Sequence, residues 1–188
     1  MGKIVMSDFV SLDGVVQDPD GKEGFRVGGW FGRLDDRREL FAVKLDEALG
    51  AEALLLGRRS YEFFAARWQP RGGGLADRLN NLPKYVVSST LRDPDWTNTT
   101  VLGRDAVADI SMLKRAVAGE ILVYASFQLS RTLLMHDLVD EIRLMMLPVV
   151  LGAGARLFGE TRDTTSLRLV DCRTVADDIA LLTYQPRD

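Results

Sequence analysis

Three short stretches combine side chains and backbone suited to holding an anion. They are Gly57-Arg58-Arg59-Ser60, Ser88-Ser89 and Ala125-Ser126, and each follows an apolar run. The first is the most informative. An apolar run from Ala53 to Leu56 stops at Gly57, and a segment of helical character follows the arginines and serine. This is the pattern of a buried strand handing over to a helix. A helix start presents unpaired backbone N–H groups and a partial positive charge, so it favours an anion. Two arginines at that positive end are locally unfavourable unless a negative group sits among them. A ligand phosphate would supply the missing charge. The other reading is two solvated side chains with Glu62 as salt-bridge partner, and spacing alone leaves both open. Ser88 and Ser89 by themselves also read as turn residues.

The elements that must position these stretches follow from apolar patterning. Residues 3–10 read as a first strand, turned by Ser11-Leu12-Asp13-Gly14. A glycine-rich loop, with Gly21, Gly24, Gly28, Gly29 and Gly32, runs on to Trp30 and Phe31. Loops of this length inside a domain are usually functional. Residues 34–49 place Leu34, Arg38, Phe41, Leu45 and Leu49 at near-helical spacing, so an amphipathic helix closed by Gly50 is expected. Helices are also expected over 60–66, over 107–117 and from a cap at Ser126 to His136, with at most a short one over 75–81. Strands are expected at 85–87, 99–102, 120–124 and 141–150, and a terminal hairpin pairs 166–175 with 179–185. The order implies one α/β domain over 1–188, a mainly parallel sheet with helices on both faces and a C-terminal antiparallel hairpin. In such sheets ligands bind beyond the carboxyl ends of strands, so the three polar stretches can share one edge.

Composition narrows the classes. The 188 residues are 46% hydrophobic and 27% charged, ordinary for a globular chain, and long enough to bury a core. A net charge of −3 argues against nucleic acid or anionic membrane as partner, so phosphate binding must be local. One cysteine and one histidine exclude an internal disulfide and disfavour a zinc site. Cys172 reads as a buried strand residue, and His136 as a helix-end residue suited to the dipole. No signal-peptide layout or membrane-length apolar run is present, which gives a cytoplasmic expectation. Neither G-x-G-x-x-G between strand and helix, nor a Walker lysine loop, nor G-x-S-x-G occurs.

Four stretches carry a family resemblance: residues 3–14 ending in S-L-D-G, residues 54–62 with G-R-R-S-Y-E, residues 123–134, and residues 138–158 with L-V-D-E-I-R-L-M-M-L-P-V-V-L-G-A-G-A-R-L-F. In these the chain resembles the dihydrofolate-reductase-like superfamily, specifically proteins similar to the reductase domain of the bifunctional riboflavin-biosynthesis deaminase/reductase. The resemblance implies a dihydrofolate-reductase-like fold, NADPH as cofactor, a small-molecule substrate and a homodimer. Gly57, Arg58, Arg59 and Ser60 match positions that hold the 2′-phosphate and pyrophosphate. Ser88 and Ser89 match a segment at the adenosine end, and the segment with Ala125, Ser126, Gln128 and Leu129 matches a loop over the pyrophosphate. Two positions depart from the pattern: Ala125 stands where glycine is usual, and Ala155 precedes Arg156 where lysine is common.

The implied activity is hydride transfer from NADPH to a heterocyclic or carbonyl-bearing substrate, of the kind carried out by the 5-amino-6-(5-phosphoribosylamino)uracil reductase of riboflavin biosynthesis. Asp13 is the candidate proton-handling group, with Asp35 or Asp36 behind it, and Trp30, Asp36 and Arg156 are candidate substrate contacts. Bland readings stand beside them: a turn-capping Asp13, helix-start aspartates, and Trp30 and Arg156 as packing or surface. The alternatives in function are a nucleotide-binding protein of this fold without turnover, or a dihydrofolate reductase. For self-association, the apolar strand around 144–151 and the terminal hairpin are the expected surface.

Overall fold

Apolar runs rich in β-branched and aliphatic residues become the strands, and the eight among the described residues join one sheet. The structure, a computed structural model, describes residues 1–34, 36–103, 105–159 and 164–187. In chain order the elements are β1 (Lys3–Ser11), a 3-10 turn (Trp30–Arg33), α1 (Arg38–Gly50), β2 (Ala51–Gly57), α2 (Arg58–Trp68), α3 (Gly74–Asn81), β3 (Lys84–Val87) and β4 (Thr99–Leu102). Then come α4 (Ala106–Ala116), β5 (Glu120–Tyr124), α5 (Phe127–Met135), β6 (Glu141–Leu147), β7 (Leu167–Val175) and β8 (Ile179–Pro186). The strand order is β4-β3-β2-β5-β1-β6-β8-β7. Pairing is parallel from β4 through β6 and antiparallel at β6–β8 and β8–β7. The expected mainly parallel sheet with a terminal hairpin is therefore present, with helices on both faces.

Side-chain alternation along β1 divides the core in two. Ile4, Met6 and Val10 join Leu129 and Leu133 of α5 and Ile110 and Leu113 of α4. Val5 belongs to the opposite layer with Leu54, Leu56 and Tyr61, and Phe9 packs among Trp30, Phe31 and Leu40.

The helix over residues 34–49 is shorter than its pattern suggested and presents a different face. It begins at Arg38, and Leu49 is exposed while Lys44 and Glu47 are buried. The periodicity marked Leu34, Arg38, Phe41, Leu45 and Leu49, but the buried face also holds two opposite charges that satisfy each other: Lys44 Nζ lies 3.1 Å from Glu47 Oε2. Cys172 also departs from expectation. It sits on β7 but is exposed, because β7 is the sheet edge and its side chains lack a covering helix. His136 follows α5 directly and is exposed.

The fork between the two central strands positions the site. β1 pairs with β5 only as far as Ser7 opposite Tyr124, while its pairing with β6 continues to Ser11 opposite Leu147. Beyond Ser7 the strands part. Chain leaving β1 leads to α1 on one face, and chain leaving β5 leads to α5 on the other. That reversal is a topological switch point, where open α/β sheets bind ligands.

Candidate active site

A cleft of about 670 Å³ opens at this fork. Ser7, Asp8 and Phe9 all line it, although successive strand residues point to opposite faces. The cleft therefore passes through the gap between β1 and β5 rather than lying on one side of the sheet. One end is polar and formed by strand ends. The other is aromatic.

The polar end brings together Gly57, Arg58, Arg59, Ser60, Ser88, Ser89, Ala125, Ser126, Gln128 and Leu129, all of which line the cleft. They converge because β2, β3 and β5 run parallel and end at one edge. Two helices begin there, α2 after Gly57 and α5 after Ser126, and neither start carries a side-chain cap. Ser126 occupies the expected cap position without capping. At φ 60° it turns its hydroxyl the other way, accepting from the Gly57 backbone N–H at 3.0 Å and donating to the Tyr124 carbonyl at 3.1 Å. It thus ties the β5 exit to the end of β2. Ala125, at φ 49°, shares this left-handed conformation, which costs a non-glycine residue about 1 kcal/mol.

The two arginines differ. Arg58 donates to Glu62 at 2.7 Å and to Thr90. Arg59 has an exposed side chain (72%) that reaches Glu23 at 3.5 Å. Two helix starts without side-chain caps and an arginine held only loosely fit a bound dianion.

The aromatic end is a chain of ring contacts. Phe9 and Phe31 have centroids 4.5 Å apart, Phe31 meets Phe41 edge-on at 6.2 Å, and Phe41 meets Trp68 at 6.4 Å. Phe64 leans on Tyr124. Lys44 closes the floor, with its ammonium 5.1 Å from the Phe9 centroid and 4.7 Å from that of Tyr124. Beneath lies a buried network: Lys44 and Glu47 both bond the Ser7 hydroxyl, and the Tyr124 hydroxyl donates to Glu47 at 3.1 Å. Burial and the Glu47 carboxylate hold the Tyr124 phenol well above its ordinary pKa. The glycine-rich loop forms the opposite wall and is organised by Asp18, whose carboxylate accepts from the Glu23 and Phe25 backbone N–H groups. Arg67 on α2 pairs with Asp20 of this loop at 2.9 Å.

Four sequence candidates lie outside the cleft lining. Asp13 is a fastener: it accepts from the Ser11 hydroxyl at 2.7 Å and the backbone N–H groups of Leu151 and Gly152 at 3.1 and 2.8 Å. Those bonds lower its pKa to about 2. Arg156 completes the clasp by donating to the Asp13 carbonyl at 2.9 Å. Trp30 is fully buried, with its indole N–H on the Gln17 carbonyl, and supports the loop from behind. Asp36 is exposed and paired with Arg38 at 2.6 Å. Asp35 lies outside the described residues.

The residue that sequence reasoning missed is Asp8. Only 7% exposed, it lies beside the Ala125 backbone N–H, and Oδ2 has no partner. Burial raises its pKa to about 8, against the pull of Lys44 and the Ala125 N–H. The signal was available: one carboxylate inside the run I-V-M-S-D-F-V.

Sheet order, switch-point cleft and terminal hairpin define a dihydrofolate-reductase-like fold. A dihydrofolate reductase from Enterococcus faecalis, solved with NADP(H), superposes with a TM-score of 0.63 at 16% identity, covering 99% of this chain and 97% of that one. A protein of Shewanella sp. PV-4 assigned to riboflavin biosynthesis superposes with a TM-score of 0.77 at 20% identity over 99% of both chains. Residues 2–181 match the model of the RibD C-terminal domain, and the chain belongs to that family, of riboflavin-pathway reductase type. The uncharacterized Bacillus subtilis (strain 168) protein YyaP is 24% identical, covering 97% of this chain and 94% of its own length.

Proposed function

We propose that the protein is an NADPH-dependent reductase that delivers a hydride to a small heterocyclic or carbonyl-bearing substrate. The observation that carries this reading is the convergence of three strand ends, with two helix starts lacking side-chain caps, on one wall of a ligand-sized cleft. The NADP(H) complex of the Enterococcus neighbour supports the cofactor class.

Arg59, with Arg58 and Ser60 beside it, would hold the 2′-phosphate, since a guanidinium suits a phosphate dianion. The start of α5, with Ser126, Gln128 and Leu129, would hold the pyrophosphate, and Ser88 and Ser89 would line the adenosine end. When bound, the reduced nicotinamide supplies the hydride. The chain supplies position and electrostatics. Phe9, Phe31, Phe41 and Trp68 exclude water from the aromatic end and offer flat faces to a ring. Lys44 and Glu47 neutralise one another beneath it.

Among the described residues no helix is long and apolar enough to cross a membrane, and no cluster suited to a metal is present. The unpaired, exposed thiol of Cys172 is in keeping with a reducing, cytoplasmic setting. For the homodimer, β6 lies inside the sheet between β1 and β8, which leaves the hairpin: edge strand β7 exposes Leu169 and Val170.

Fluorescence titration with NADPH and NADH tests the cofactor assignment. NADPH should bind more tightly, and Arg59→Ala should weaken NADPH by about 10-fold or more while barely changing NADH. Equal affinities for the two nucleotides, unchanged by Arg59→Ala, would sink the 2′-phosphate role.

A further inference from the structure

Among the described residues, three buried side-chain polar atoms lack a hydrogen-bond partner: Asp8 Oδ2, Trp68 Nε1 and Ser130 Oγ. Two of them, Asp8 and Trp68, belong to residues that line the cleft. Unpartnered buried polar atoms are uncommon and costly, and a catalytic role is one of the few things that explains keeping one beside a cleft. Asp8 is also the first β1 residue beyond the pairing with β5, so it stands at the opening of the fork. It joins the two ends of the cleft. The Ala125 backbone N–H of the polar wall lies beside it, while Phe9, its neighbour in sequence, begins the aromatic wall.

From this placement we infer that Asp8 is the acid of the reaction, giving its carboxyl proton to the substrate atom next to the carbon that accepts the hydride. The inference rests on the reduced-nicotinamide reading above. The substrate carbon of a C=N or C=O bond accepts the hydride with its two electrons. The π pair moves to the nitrogen or oxygen, which takes the Asp8 proton. The nicotinamide is left oxidised and Asp8 is left as carboxylate, to be reprotonated from water. The groups facing Asp8 are consistent with a neutral acid awaiting a ligand. Lys44, the nearby cation on α1, is already committed to Glu47 and Ser7. The carboxyl's Oδ2 is left without a partner. The ring-lined aromatic end beside Asp8 makes the substrate class a flat heterocycle whose oxo group or ring nitrogen meets the carboxyl.

Two measurements decide it. In 13C-carboxyl-labelled protein, one aspartate resonance, absent from Asp8→Asn, should titrate near pH 8. An Asp8 resonance that titrates with the ordinary carboxylates overturns the acid role whether or not NADPH binds. In parallel, NADPH oxidation is followed with a panel of oxopyrimidines, pterins and quinones. For any acceptor that the wild type reduces, Asp8→Asn should lower kcat by about 100-fold or more. It should leave the NADPH Kd unchanged and abolish the fall in rate above pH 8. A variant within a few-fold of wild type, or one that loses NADPH affinity instead, overturns the assignment. Wild-type protein that binds no NADPH overturns the cofactor reading instead, and the resonance then decides the state of Asp8 by itself.

Discussion

Asp8 and Asp13 lie five residues apart, on β1 and on the turn that follows it, and their surroundings push them in opposite directions. Asp13 is only partly buried, and three donors hold its carboxylate, so its pKa falls to about 2. Asp8 is buried with one oxygen unmatched, and its pKa rises to about 8. A carboxylate whose lone pairs are engaged by its own chain is finished as a chemical group. It holds loops together. One left incomplete at a switch point keeps both a proton and a vacancy in its bonding to offer.

The harshest way to break this contrast is to remove the cation near Asp8. Lys44→Met would leave Glu47 as an unpaired buried charge and should cost about 3–5 kcal/mol in urea unfolding at pH 7. Because Lys44 pulls the Asp8 pKa down, the variant should also raise that pKa further. A loss under about 1 kcal/mol would mean that the Lys44–Glu47 pair is solvated and the floor of the cleft is wet.

A second test sets the two aspartates against each other by pH. Asp8 has a folded pKa above its ordinary value. It imposes no penalty below about pH 4 and a growing one as pH rises toward 8. Asp8→Asn should therefore gain Tm relative to wild type across that interval, by an amount reflecting roughly 1–3 kcal/mol at pH 8. Asp13 has a folded pKa below its ordinary value, so its stabilisation is full above about pH 4 and fades as pH falls toward 2. Asp13→Asn should therefore lower Tm at neutral pH, with the deficit closing in acid. Differences that run the same way with pH in both variants would collapse the contrast. The smallest effect is expected beside Asp8: Ala125→Gly relieves a left-handed alanine and should stabilise by up to about 1 kcal/mol in thermal unfolding. A destabilised Ala125→Gly would show that the β5 exit carries no strain.

The same contrast marks what the sequence made legible. Strands β2, β5 and β8 were readable because apolar runs between polar breaks have few other uses, and Gly57-Arg58-Arg59-Ser60 was readable because a helix start is a local event. Asp13 drew attention for an equally local reason, since Asp-Gly announces a turn. Asp8 and Lys44 were hidden because their roles depend on distant partners. Ser7, Asp8 and Lys44 meet only after α1 folds across β1, and the Ala125 amide arrives from a strand over a hundred residues later. Periodicity singled out Leu34, Arg38, Phe41, Leu45 and Leu49 on this helix and gave no reason to look at Lys44 and Glu47, since most such residues lie in solvent. Each buried charge was acceptable only because the other was there.

The position of β1 sets a timetable for synthesis. Its two sheet neighbours are β5 and β6, and the clasp at its far end joins Asp13 to Leu151, Gly152 and Arg156, which are 138 to 143 positions away. Made first, the strand must wait for its pairing partners. At ribosomal speeds of about 5–20 residues per second, that is about 6–30 s during which an apolar strand has no native neighbour. A central strand of the finished sheet thus spends that interval with neither sheet neighbour in place, and a chaperone that binds during translation would find a target at residues 3–11.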